Sequence, residues 1–176
     1  MEFLKTDNKV TTKDLVETAL LIALVFVATA FIHFQLPIPA IGGLVHLGTA
    51  MLFTVAIVFG GKKGAIAGAV GMAIFDVSSG WALYAPCTFV VKGLMAFIAG
   101  TIANGNNRNG SDVRFNILGT FLGSVFMIAG YYIYEIFLTH SLIAPAASIP
   151  GNILQTLVGI IVAVPLATIL KKSLSR

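Results

Sequence analysis

The chain has 176 residues, of which 57% are hydrophobic and only 10% charged, with a formal net charge of +4. A soluble domain is about a quarter charged, so this composition cannot supply a water-facing shell, and the length fits one membrane domain over residues 1–176. The positive charge falls in short clusters between apolar runs, which argues against nucleic acid, and one cysteine, Cys87, excludes an intramolecular disulfide and a multi-cysteine metal site.

Apolar runs of about 20 residues cross a bilayer, and shorter ones do so when packed within protein. Six are present, at about 13–34, 46–60, 64–79, 86–103, 114–138 and 150–170, predicting an all-α bundle of six transmembrane helices. The "ATA" at 28–30 mimics a signal cleavage site, but the run before it is long and more spans follow, so a retained first helix is expected. Ten of the eleven lysines and arginines fall before span one, between spans two and three, between four and five, or after span six. The positive-inside rule then puts both termini in the cytoplasm of a multi-pass cell-membrane protein.

Span one carries Ala19 and Ala23, an AxxxA pair that suits packing inside the bundle or a flat outer face for a partner helix; periodicity leaves both open. The outward connection "LPIPAIGGLVHLGT" has no charged residue. Pro37 and Pro39 stiffen it, while Gly42 and Gly43 allow a tight turn. Taken alone it reads as a plain connector, and His46 near its end as a loop or interface residue. "GGKKGAIAGAVG" places Gly60, Gly64, Gly68 and Gly71 at near-helical spacing, and Gly119 and Gly123 repeat it; close intramolecular packing is the expectation.

Away from the terminal and basic-side clusters, three charged residues remain: Asp76, Lys92 and Glu135. Each costs about 2.5–3.5 kcal/mol at a helix centre, so a partner or a watery cavity is required. Asp76 near the outer end of span three and Lys92 in span four are placed to pair, which leaves Lys92 either a counter-ion or a ligand contact. Glu135 has no such dedicated cation. Tyr131 and Tyr132 lie one helical turn from it, at i−4 and i−3. In span six Asn152, Gln155 and Gly159 form one stripe, after an outer start at Pro150 and Gly151. His33, Phe34 and Gln35 close span one at the same depth, His46 opens span two, and Trp81 and Tyr84 flank span four. An interfacial aromatic belt explains some of these rings but not Glu135, Asn152 and Gln155. An acid, amides and aromatic rings at one level suit a small, flat, polar heteroaromatic compound.

There is no GxxxxGK[ST] for ATP and no HExxH for zinc. Ser124 and His140 are far apart in depth, which weakens an intramembrane protease. No metal or cofactor is expected. The chain is about half the size of secondary carriers and shows no internal repeat. An intramembrane enzyme using Glu135 or His46 as base, and a self-contained carrier acting as an oligomer, remain as alternatives.

With its six spans, internal termini, the Ala19/Ala23 motif, the long outer loop and the short pair around "GGKKG", the chain resembles the S components of energy-coupling factor (ECF) vitamin transporters. The phrases "GGLVHLGT", "FDVSSGW" and "VVKGLMAFIAG" are similar to the branch that takes hydroxymethylpyrimidine, vitamin B6 or riboflavin-like substrates. The resemblance implies a substrate-binding subunit without its own ATPase, loaded from outside. It also implies Ala19 and Ala23 against a membrane coupling subunit, two cytoplasmic ATPases, and the first loop as a gate. The substrate expected is hydroxymethylpyrimidine or a pyridoxine- or pyridoxamine-type vitamer. Glu135 would pair with an amino group or protonated ring nitrogen, and Asn152 and Gln155 would take hydroxyls or ring nitrogens. A riboflavin-type substrate would need a larger cavity.

Overall fold

The computed structural model describes residues 11–35 and 44–174, with Phe34, Gln35 and Leu44 described by backbone only. Among these residues the order is α1 (Thr12–Phe31), β1 (His33–Gln35), β2 (Leu44–His46), α2 (Gly48–Phe59), α3 (Gly61–Ser78), α4 (Ala85–Asn104), α5 (Val113–Thr139), a 3-10 turn (Ala144–Ser148) and α6 (Ile149–Leu174). The gate residues Pro37, Pro39, Gly42 and Gly43 lie outside the described residues.

Local chemistry sets the ends. Thr11 and Asp14 form a reciprocal capping box that starts α1, the hydroxyl accepting from Asp14 N at 3.2 Å. Asp112 caps α5 by accepting from Arg114 N at 2.9 Å, and His140 ends that helix in a left-handed conformation at φ 50°. Pro86 sits in the first turn of α4, where a missing N–H costs nothing. Gly60 joins α2 to α3 at φ 92°, a conformation that glycine adopts without steric cost.

Among the described residues, four segments are long and apolar enough to cross a membrane: Thr12–Phe31, Ala85–Asn104, Val113–Thr139 and Ala144–Leu174. Their outer surfaces are oily, with Leu20 66% and Ile161 69% exposed. The twelve-residue α2 is shorter and is sheathed by protein instead, with ten of its residues buried. Span one is expected to reach residue 34, but α1 stops at Phe31. The chain then turns into an antiparallel hairpin in which His33 pairs with His46 and Phe34 with Val45. Strand pairing satisfies the backbone groups that helix would otherwise have held.

The glycines draw the helices together. A Cβ at Gly64 would lie 2.6 Å from the Ala56 Cα, one at Gly100 2.5 Å from the Gly61 Cα, and one at Gly119 2.6 Å from the Ala99 carbonyl oxygen. These contacts join α2 with α3, α3 with α4 and α4 with α5, within the chain as expected. On α1, Leu21, Val25, Ala28 and Thr29 face inward, whereas Ala19 and Ala23 are exposed on the opposite side.

Candidate functional site

At the end where the β hairpin sits, the helices enclose a cavity of about 70 Å³. β2 contributes His46 and α3 contributes Asp76. The turn after α3 brings Trp81 and Tyr84, and α4 adds Thr88 and Lys92 one helical turn apart. Tyr131 and Glu135 come from α5, and Asn152 and Gln155 from α6. These ten residues come from five elements and one turn, so the cavity exists only in the folded bundle.

Two hydrogen-bonded groups organise its walls. In the first, the Thr49 hydroxyl accepts from Gln155 Nε2 at 2.9 Å and from Lys92 Nζ at 3.3 Å. Gln155 Nε2 also lies 2.7 Å from His46 Nε2. With the amide donating to both, the imidazole carries its hydrogen on Nδ1, which is buried without a partner among the described residues, and the Gln155 carbonyl oxygen has none there either. Lys92 is buried at 2% exposure and also donates to Met127 Sδ at 3.0 Å, with its ammonium 5.6 Å from the Tyr131 ring centroid. In the second group, Ser148 Oγ donates to Glu135 Oε2 at 2.6 Å, and Glu135 is 1% exposed. The other carboxylate oxygen has no protein donor among the described residues, and the Asn152 side chain has no protein partner there either. A fixed acid, an uncommitted carbonyl and an unpartnered amide thus border one hollow.

The aromatic wall is stacked edge to face. Trp81 meets Tyr84 at 5.9 Å and 74°, and Tyr84 meets Tyr134 at 5.9 Å and 63°. Tyr134 is anchored by donating its hydroxyl to the Leu83 carbonyl. Tyr131 shares a hydrogen bond with Thr88 at 2.9 Å.

Of the residues predicted from sequence, Glu135, Asn152, Gln155, Tyr131, His46, Trp81, Tyr84 and Lys92 all line this cavity. Tyr132 does not: its hydroxyl donates outward to the Leu142 carbonyl at 2.7 Å. Phe34 pairs with Val45 through its backbone. Gly159 serves packing, since a Cβ there would come 2.9 Å from Thr49 Cγ2. The pairing of Asp76 with Lys92 is not formed; the ion pairs among the described residues join Lys63 to Asp14 at 3.3 Å and to Glu17 at 2.8 Å. Sequence reasoning missed Asp76 and Thr88 as lining groups and Thr49 and Ser148 as holders. Thr88 had a signal, the i,i+4 spacing to Lys92. Ser124 bonds its own helix at the Thr120 carbonyl, sixteen residues and about 24 Å of helix from His140.

A membrane bundle with a polar, ring-lined hollow at one end is the form of a solute-binding subunit, and the comparisons give its class. The model of the family described as ECF-type riboflavin transporter, S component, matches residues 9–172. The chain belongs to that family and is therefore a multi-pass membrane subunit of a vitamin transporter rather than an enzyme. It is 35% identical over 143 residues to an uncharacterized protein in the gap 3' region of Pyrococcus woesei, covering 78% of this chain and 89% of that one. It is 26% identical over 167 residues to the thiamine precursor transporter HmpT of Lactococcus lactis subsp. cremoris (strain MG1363), covering 95% and 92%. A solved structure described as "Structure and mechanism of the S component of a bacterial ECF transporter" shares the fold, with TM-score 0.74, 22% identity and coverage of 93% and 98%.

Proposed function

We propose that this S component captures a single-ring vitamin precursor from outside, hydroxymethylpyrimidine or a pyridoxine- or pyridoxamine-type B6 vitamer. A membrane coupling subunit and two cytoplasmic ATPases then drive its delivery inward. The observation that carries this reading is the convergence of Glu135, Asn152 and Gln155 with Trp81, Tyr84 and Tyr131 on one cavity. The rings would stack on the faces of a flat ligand. The free oxygen of Glu135 would accept from an exocyclic amine or ring N–H, and Asn152 and Gln155 would read its remaining edge. Lys92 would donate to a hydroxyl or ring nitrogen.

Orientation follows from charge. The α2–α3 junction, the α4–α5 connection and the end of α6 carry Lys62, Lys63, Arg108, Arg114, Lys171 and Lys172. Placing that end in the cytoplasm makes six spans with both termini inside and opens the cavity outward. The loop with Pro37, Pro39, Gly42 and Gly43 leads directly into His46 on the cavity wall, which suits a gate. The exposed Ala19 and Ala23 form a flat stripe beside Leu20 and Leu24, which suits close approach by a helix of the coupling subunit.

A riboflavin-type ligand is the second reading, favoured by the name of the matching family. The thiamine precursor named for the Lactococcus relative argues for the smaller ring. Mass spectrometry of the small molecule that co-purifies with the full chain separates them: a pyrimidine or pyridine supports capture of a single ring, and riboflavin replaces it. Conversion of the ligand by the pure protein would instead indicate an enzyme, and uptake without ATPases a self-contained carrier.

A further inference from the structure

The basic end of the bundle holds a second pocket that ligand capture at the first does not use. It has a volume of about 350 Å³ and is lined by Asn109, Ser111, Thr168, Lys171 and Lys172. We propose that it binds the phosphodiester of an anionic phospholipid.

The pocket is built by the α4–α5 connection. Asn106, Asn107 and Asn109 adopt positive φ of 51°, 58° and 49°, and Gly110 follows at 70°, so the connection curls over the end of α6. The buried Asn116 pins this curl by donating to the Gly110 carbonyl at 2.9 Å. A Cβ at Gly110 would lie 3.1 Å from Lys171 Cε, which shows how closely the loop grips that stem. Lys171 Nζ is aimed by donating one hydrogen to Asn109 Oδ1 at 3.0 Å, leaving two further N–H donors. The Ser111 hydroxyl donates to the Arg108 carbonyl at 2.5 Å and Thr168 Oγ1 to the Val164 carbonyl at 2.7 Å. Both hydroxyl hydrogens are therefore spent, and the charged donors of the pocket are its ammonium groups. Among the described residues, no carboxylate lines it. Asp112, next in the chain, is held as the α5 cap.

The position selects a lipid over a free phosphate. Lys171 and Lys172 close the last turns of a helix long and apolar enough to span, and its outer side exposes Ile161 and Ile169. An acyl chain lying along that side would bring its phosphate to the lysines, with their methylene stems as walls. Basic pockets at the cytoplasmic side of helix bundles bind anionic headgroups for the same reason.

The test uses the full chain in neutral detergent, with lipids counted by native mass spectrometry. Wild type should retain phosphatidylglycerol in preference to phosphatidylcholine, and Lys171→Gln with Lys172→Gln should weaken that retention roughly tenfold or more. Should the double variant fail to fold, Thr168→Leu narrows the pocket without altering charge and should weaken retention in the same sense. Equal retention of phosphatidylglycerol by wild type and variants overturns the proposal. So does its displacement by millimolar inorganic phosphate, which would make this a soluble-anion site. Protection of the lysines from acetylation by the coupling subunit, with none from lipid, would make it a protein contact and overturn the proposal too.

Discussion

The two ends of the bundle differ in what stands between the helices. At the basic end the backbones nearly touch, and Gly61, Gly64, Gly100 and Gly119 leave no room for a methyl group. At the other end glycines still seat the helices, as Gly130 does against Val91 and Gly159 against Thr49, but large or polar side chains face the middle: Tyr84, Tyr131, Lys92, Glu135 and Gln155. In a bilayer, close packing and interhelical hydrogen bonds drive helix association; at the basic end both act, with Asn104 donating to the Ala56 and Ile57 carbonyls across the glycine contacts. Together they close that end; the other stays open because its hydrogen bonds hold side chains at the rim of a hollow.

Small changes at the closed end should therefore cost stability, and small changes at the open end should cost affinity. The largest stability effect is expected from Gly100→Ala. The added methyl meets the Gly61 Cα at 2.5 Å and the Ala56 carbonyl oxygen at 2.6 Å. Overpacking of this kind costs about 1–3 kcal/mol, a fall of roughly 5 °C in thermal midpoint. An unchanged melting curve in detergent would mean that the closed end is slack. At the open end, Thr49→Val removes the shared acceptor of Lys92 and Gln155. Ligand affinity should fall roughly tenfold, the loss of one buried hydrogen-bonding group, and Thr49→Ser should restore it; titration of both variants checks this. The smallest intrinsic effect belongs to neither end. Ala19→Leu, on the exposed face of α1, should leave stability within about 0.5 kcal/mol and binding unchanged, yet abolish uptake in cells. Lost binding would show instead that the alanine stripe supports the bundle.

Much of the fold was legible because long apolar runs have few alternatives in a membrane. The run at 86–103 became Ala85–Asn104 and that at 114–138 became Val113–Thr139. The end of span one was not legible: His33-Phe34-Gln35 continues an apolar run, and its strand character arises from pairing with Leu44–His46. At the candidate site, Glu135, Asn152 and Gln155 stood out because polar groups at membrane depth demand an explanation. Tyr131 and Tyr132 were indistinguishable by spacing; only packing against α4 turns one inward while the other reaches Leu142. Thr49 and Ser148 gave no sign, since a hydroxyl in an apolar helix usually bonds its own backbone, as Thr54 and Thr120 do here.

Capture as proposed puts the Glu135 carboxylate against the ligand, in the hollow beside Trp81. Trp81 is the single tryptophan of the chain and lines that hollow, so its fluorescence reports occupancy directly. Titration with hydroxymethylpyrimidine and with pyridoxine should give a saturable change for one of them in wild type. Glu135→Gln, with its fold intact, should weaken that binding by tenfold or more, the loss of a charge-assisted hydrogen bond worth about 1.5–3 kcal/mol. Equal affinity in wild type and Glu135→Gln would remove the carboxylate from the site and contradict the account.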